Sequence, residues 1–264
     1  MWLRTSCEFS FNIIEPTPFI LMLRPRSNAK QWVAREEYRI SPTIPVYEFT
    51  DLYDNLCQRL VAPPGHFSIK TTADVRTSEK NNNGIDAPFV EIQDLPDSVI
   101  KYLMPSRYCE SDRFNQMALD ITNGETPGYN QVARIESWLK QNISYIPGSS
   151  NYPVSATEVN QKQSGVCRDL AHLGISLCRS ISIPARMVVG YLHHLAPMDM
   201  HAWFEAYVGR RWYSFDAVRT ATMDGYVSVG YGRDAADVAV YTQFGFPVYP
   251  LTQKVSVEEI DPVT

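Results

Sequence analysis

The chain has 264 residues, 44% of them apolar and 12% aromatic, with a formal net charge of −5; this suffices for the core of one large domain or two modest ones and excludes a disordered chain. Lys and Arg nowhere form a long run, so the electrostatic footprint of a nucleic-acid binder is missing. The apolar run PFILML is too short to span a bilayer and MWLRTSCEFS has no signal-peptide pattern, which predicts a cytoplasmic protein with no membrane partner.

Apolar residues recur at every second position in Cys7, Phe9, Phe11 and Ile13, and again in Phe67, Ile69 and Val75, the period of strands with one buried face. EPTP, SPTIP, DLYDN and APPG supply turn residues at short intervals, the rhythm of an antiparallel β-sandwich. The polar stretch TSEKNNNGIDAP places a boundary near residues 78–88. A β-rich domain is therefore expected over 1–85 and a second domain over 89–264. In the latter, SDRFNQMALDI and PGYNQVARIESWLKQNI suit helices, the second with Val132, Ile135, Leu139 and Ile143 near helical spacing and Pro127 at its start. ARMVVGYL, HAWFEAYV and RWYSFDA read as strands, so the fold class is α+β.

Five cysteines, at 7, 57, 109, 167 and 178, are odd in number and without paired spacing, as expected for reduced thiols. Between Gly165 and Ile181, Leu170, Gly174, Leu177 and Cys178 fall on one helical stripe. With Ser164 as N-cap, Cys167 sits in the first turn, where free N–H groups and the positive end of the dipole favour a thiolate and can stabilise an oxyanion. Cys178, about three turns deeper, reads as inert packing. Packing is also the bland account of Cys167.

A partner base appears in HAWFEAYVGRRWYSFDA. A two-residue loop at Gly209-Arg210 sets Val208 opposite Arg211 and Glu205 opposite Ser214, which makes His201 and Asp216 diagonal neighbours on one face. Ala202, Phe204, Ala206 and Val208 form the opposite, packing face. A cysteine nucleophile needs this pair: a histidine to move the proton and a carboxylate to orient the ring. A surface histidine beside a strand-end aspartate is the competing account.

Elsewhere, His172 points away from Cys167 around the helix and reads as structural. His193 and His194, taken as strand neighbours, face opposite ways, and no CxxC or HxxxH spacing supports zinc. Glu205 and Ser214 read as a solvated cross-strand pair, or as part of the pocket. Trp203 and Trp212 either wall an acyl-acceptor channel or cover a core edge. Arg233, Asp234 and Asp237 suit a local ion pair or a substrate clamp.

Together, SGVCRDLAHLGISLCRSISIPARMVVGY, HAWFEAYV and RWYSFDA resemble the transglutaminase-like superfamily, specifically its bacterial proteins described as cysteine proteases. YLMPSRYC, SWLKQNISYIPGSS and YGRDAADVAVYTQFG, and the N-terminal strands, resemble the same branch. The resemblance implies a papain-like α+β transglutaminase core with Cys167 as nucleophile, His201 as general base and acid, and Asp216 as its orienting partner. It departs at DLYDN, where Asp54 stands in place of an expected Gly. Nothing resembles the extra β-barrels or calcium sites of the animal enzymes, so no metal and no cofactor are expected. The implied activity is cysteine-dependent acyl transfer from peptide or glutamine-type amides through a thioester, resolved by water in a peptidase or amidase, or by an amine in a transamidase. A binding module on the same fold is the rival of another class. Gln163 and Tyr145 are candidates for an additional oxyanion donor.

Overall fold

Alternation in the N-terminal sequence produces the long strand β1 (Trp2–Ile13), which buries Leu3, Cys7, Phe9, Phe11 and Ile13 while Arg4 and Asn12 stay exposed. Five more strands follow: β2 (Thr17–Leu21), β3 (Gln31–Ser41), β4 (Tyr47–Thr50), β5 (Leu56–Ala62) and β6 (Gly65–Thr77). The computed structural model describes residues 1–78, 84–150, 152–218 and 224–262. Residues 79–83 of the expected linker lie outside that set. Asp54 adopts φ +64°, the left-handed conformation that favours Gly but that Asp tolerates better than most residues.

The next segment supplies α1 (Asp97–Ile100), α2 (Asn115–Ile121), α3 (Tyr129–Asn142), the two-residue β7 (Ser144–Tyr145), α4 (Ala156–Lys162), β8 (Ser164–Gly165) and α5 (Cys167–Ser180). Then come β9 (Ala185–Leu192), β10 (His201–Val208), β11 (Arg211–Phe215), β12 (Tyr226–Gly232), β13 (Tyr241–Gln243) and β14 (Thr252–Glu259). Val132, Ile135 and Leu139 of α3 are buried, with Ile143 just beyond its end, as their spacing predicts.

Two antiparallel sheets form the N-terminal sandwich, with strand orders β14-β1-β6-β3 and β13-β2-β5-β4. Phe11 of the first meets Phe19 of the second at 5.3 Å between ring centroids, and Tyr241 packs edge-on against Phe9 at 5.6 Å. Residues 241–259, which the division at 85/89 assigned to the second domain, thus return to the first. The reason is pairing: β14 hydrogen-bonds along β1 from Leu3↔Glu259 to Ser10↔Thr252, and β13 pairs with β2, covering edges that would otherwise be open.

The third sheet, β11-β10-β9-β12, is also antiparallel and packs one face on α5. Its contact is close. A Cβ on Gly174 would meet Phe204 ring carbons at 2.7–3.0 Å, so only Gly lets helix and sheet approach this far. Where a single stripe was expected, α5 is buried all round from Asp169 to Arg179. Its polar residues find partners inside: Arg179 donates to the carbonyls of Ala185, Met104 and Arg233, and Ser176 to that of His172.

Side-chain clamps seat the sandwich on this sheet. Asn55 and Tyr231 exchange two hydrogen bonds of 2.7 and 2.8 Å, and Gln31 does the same with Ser228. Among the described residues no helix is long and apolar enough to cross a membrane.

Candidate active site

Cys167 opens α5, and its position follows from three local features. β8 pairs in parallel with β7, setting Gly165 beside Tyr145, and this fixes the chain entering the helix. The expected cap, Ser164, belongs to that short strand. Val166 is the N-cap instead, its N–H bonded to the Asp169 carboxylate at 3.2 Å. Asp169 also accepts from Ser150 Oγ at 2.6 Å and pairs with Arg168 at 3.1 Å, so its charge is matched. The Asp169 and Leu170 N–H groups bond the Val166 carbonyl at 2.9 and 3.1 Å, so the N–H groups of Cys167 and Arg168 are the ones at this end with no intrahelical acceptor, next to a half-buried thiol.

The other four cysteines are buried. Burial pushes the thiols of Cys7 and Cys109 up to about 12 and that of Cys57 up to about 11, and raises Cys178 further still.

The Gly209-Arg210 loop has positive φ at both residues, +55° and +62°, a mirror-image turn that matches strand twist. It gives the expected register, from Val208↔Arg211 through Glu205↔Ser214 to Phe204↔Phe215. His201 and Asp216 consequently meet, with Nε2 and Oδ2 2.7 Å apart and both side chains at most 1% exposed. Nε2 carries the proton, since the carboxylate only accepts. Burial works against a charged ring, yet the Asp216 charge and hydrogen bond, aided by Cys167, raise its pKa to about 10. Nδ1 makes no hydrogen bond among the described residues. It is the ring atom left for a thiol or a leaving group.

Asp216 is itself held on three sides. Its Oδ2 also accepts from Tyr226 Oη at 2.6 Å, its Oδ1 from the Val218 N–H at 2.9 Å, and its own N–H donates to Glu136 Oε1 at 2.9 Å. Burial alone would raise this carboxyl; His201 and Tyr226 together bring it below the ordinary value. Tyr226 and Glu136 escaped the sequence reading. Glu136 carried a faint signal, an i,i+4 pair with Lys140, whereas Tyr226 arrives through pairing of β12 with β9, invisible to local pattern.

Tyr145 responds to the same charges: burial first, then Cys167, Asp199 and Asp216, raise its phenol to about 12. Gln163 ends α4 in the left-handed conformation at φ +52°.

Other expectations change. Glu205 is not solvated: it is 2% exposed and bound by Lys30 at 2.6 Å, by Arg186 through both Nε and Nη2, and by Ser214. These cations hold its pKa near 2 against the opposing effect of burial. Trp212 packs on Tyr102, Tyr207 and the Arg186 guanidinium, a core-edge role, while Trp203 stacks beside His201 and Tyr226. His193 and His194 lie beyond the end of β9 and their rings approach to 3.7 Å, because the positive φ of His194 turns the chain out of strand geometry. His172 is structural as read, bonding the Val154 carbonyl and the Ala235 N–H. Arg233 pairs with Asp237, and Asp234 instead accepts backbone N–H groups.

Residues 115–217 match the transglutaminase-like superfamily domain. The crystal structure of a "Putative Cysteine Protease" from Cytophaga hutchinsonii shares 36% identity and a TM-score of 0.93, over 100% of this chain and 92% of that one. The chain belongs to the transglutaminase-like superfamily. An uncharacterized protein of Mycobacterium leprae is 29% identical to it over 231 residues, 82% of each chain. For a transglutaminase-like chain, a buried imidazole-carboxylate pair beside a thiol at a helix N-terminus is an arrangement able to generate and use a thiolate.

Proposed function

We propose that this protein is a cysteine-dependent acyl-transfer enzyme acting on peptide or glutamine-type amides, with Cys167 as nucleophile, His201 as proton carrier and Asp216 as its orienting partner. The observation that carries the reading is the 2.7 Å bond between His201 Nε2 and Asp216 Oδ2, which leaves Nδ1, without a hydrogen-bond partner among the described residues, as the proton-transfer atom toward Cys167. With a His201 pKa of about 10 the thiol proton already rests on Nδ1, as a thiolate–imidazolium pair, and the thiolate attacks the carbonyl carbon. The collapsing tetrahedral intermediate breaks the C–N bond, and Nδ1–H protonates the departing amine. The product is an acyl thioester on Cys167. Neutral His201 then takes a proton from water, which attacks the thioester and releases the acid and the thiol. The N–H groups at the start of α5 stabilise the oxyanion in both steps, with the Tyr145 hydroxyl as a candidate additional donor.

Water as acceptor makes the enzyme a peptidase or amidase, the reading favoured here; an amine acceptor makes it a transamidase. The substrate on this reading is a peptide or protein, in the cytoplasm.

Limiting iodoacetamide at about pH 6, followed by mass mapping, tests the reading, because ordinary thiols, near 8.5, are largely protonated there. Selective labelling of Cys167 that His201→Ala abolishes is the expected result. Equal labelling in the two proteins would leave Cys167 a structural thiol and favour a binding module. Peptide amides supplied with and without a primary amine then separate hydrolysis from transamidation.

A further inference from the structure

Beside the candidate site, the chain presents apolar surface to solvent. Ile146, Tyr152, Phe246, Tyr249 and Leu251 are 46–69% exposed. Single exposed apolar residues are ordinary; a group held in fixed positions at one place calls for a covering partner.

Hydrogen bonds link Ile146, Tyr152 and Tyr249 of this group to the nucleophile side of the site, and the strand that follows Leu251 to its histidine side. On the nucleophile side, Ile146 N–H bonds the Gly165 carbonyl at 2.9 Å, two residues before Cys167. Arg168, the residue after Cys167, donates to the Tyr152 carbonyl at 2.8 Å, and the Tyr152 and Tyr249 hydroxyls meet at 2.6 Å. On the histidine side, Gln253 donates to the Asp199 carboxylate, two residues before His201.

The loop between β13 and β14 is also tied down along its length. Phe244 N–H bonds the Pro18 carbonyl at 3.0 Å, Val248 N–H the Gln243 side chain at 2.9 Å, and Leu251 N–H the Ser10 carbonyl at 2.8 Å. Val248 is buried beneath it. Little ordering entropy remains to be lost when a ligand settles on it.

We propose that residues 244–251, together with Tyr152, form the substrate-selecting wall of the candidate site, and that the wall takes a peptide with an aromatic or large aliphatic side chain a few residues from the scissile carbonyl. The proposal rests on Cys167 being the nucleophile. An extended peptide advances ~3.3–3.6 Å per residue, and the chain of contacts from Arg168, next to Cys167, through Tyr152 to Tyr249 gives the direction in which a segment running from the thiol meets the wall. Acidic side chains are disfavoured there: Asp199 is the nearby carboxylate, and Arg168 is already committed to Asp169, Ser150 and the Tyr152 carbonyl.

Two peptidyl chloromethyl ketones of equal length test this, one with Phe and Leu and the other with Glu at the positions preceding the reactive group. Each alkylates Cys167 by forming a C–S bond as chloride leaves. The wild type should react about tenfold faster with the apolar probe, the gain expected from partial burial of a ring. Tyr249→Ala and Phe246→Glu should each erase most of that preference while leaving the iodoacetamide rate unchanged. Equal rates in the wild type, or a preference that survives both substitutions, would overturn the wall while iodoacetamide labelling keeps the nucleophile reading standing. If iodoacetamide also fails to select Cys167, both fall. Retention on phosphatidylcholine vesicles that Phe246→Glu abolishes, with the two probes reacting alike, would assign the surface to lipid and overturn the proposal.

Discussion

His201 Nε2 donates to Asp216 Oδ2 across 2.7 Å, from a ring with no measurable exposure to a carboxylate 1% exposed. Burial alone would leave the ring neutral; the aspartate lifts its pKa from 6.5 to about 10. A raised folded value means that this pair contributes stability fully below the unfolded pKa near 6.5 and loses it as pH rises through about 10. Asp216 behaves oppositely: its folded value is depressed, so its share is present above the unfolded value and is lost as pH falls through the folded one. Histidine-resolved NMR should therefore find a protonated ring at about pH 8, and Asp216→Asn should return it to a neutral ring there, since the burial penalty is then opposed by Cys167 without the aspartate. A neutral ring in the wild type at that pH would contradict the ion pair.

Tyr226 donates the second hydrogen bond to the same carboxylate oxygen. Tyr226→Phe deletes the donor, makes Asp216 more basic and raises the His201 pKa further, with a stability loss of about 1.5–3 kcal/mol for one charge-assisted bond. The alkaline limb of the Cys167 alkylation profile, where the imidazolium loses its proton, should then shift to higher pH with the fold retained, as read by near-UV circular dichroism. An unshifted profile would make Tyr226 a packing residue only.

The hairpin was legible because a two-residue loop fixes register arithmetically, and the resulting face relation brought His201 to Asp216. α3 was legible because its buried residues keep helical spacing. What failed shares a physical cause: it depends on partners far along the chain. Ser164 was a plausible cap until β8 claimed it for pairing with β7. Glu205 looked solvated because Lys30, 175 residues earlier, could not be seen beside it. The return of β14 to β1 left no local trace, for strand pairing is a contact and not a pattern.

Glu205 offers a second pH signature. Its two cations hold it near 2, so its contribution to stability is present above the unfolded value, near 4.3, and is lost as pH falls through about 2. Glu205→Ala would strand Arg186 inside the protein between Trp212 and Tyr231, which lie 4.2 and 4.1 Å from its guanidinium carbon. Breaking a buried pair from one side costs about 3–5 kcal/mol. Urea denaturation at neutral pH should show a loss of that size, and Glu205→Ala should flatten the acid limb of the stability curve. An unchanged midpoint would mean that water, not Glu205, satisfies Arg186.

Removing residues 241–264 should abolish cooperative folding, although every member of the candidate triad remains in the shortened chain. β14 covers β1 over eight residue pairs, and Tyr241 fills the junction of Phe9, Phe11 and Phe19. Without them, β1 becomes an unpaired edge and the aromatic core of the sandwich opens to water. Deleting one buried aromatic costs about 3–5 kcal/mol, a large part of the roughly 5–15 kcal/mol that holds a domain together. The loss then reaches the site, because Gln31, Lys30 and Asn55 of the sandwich bind Ser228, Glu205 and Tyr231, and β12 carries Tyr226 to Asp216. A broad melt, dye binding to exposed apolar surface and loss of selective Cys167 labelling are the expected readings. A sharp transition at the full-length midpoint would show that the third sheet and its helices fold without the sandwich, and that the clamps between them are dispensable for the triad.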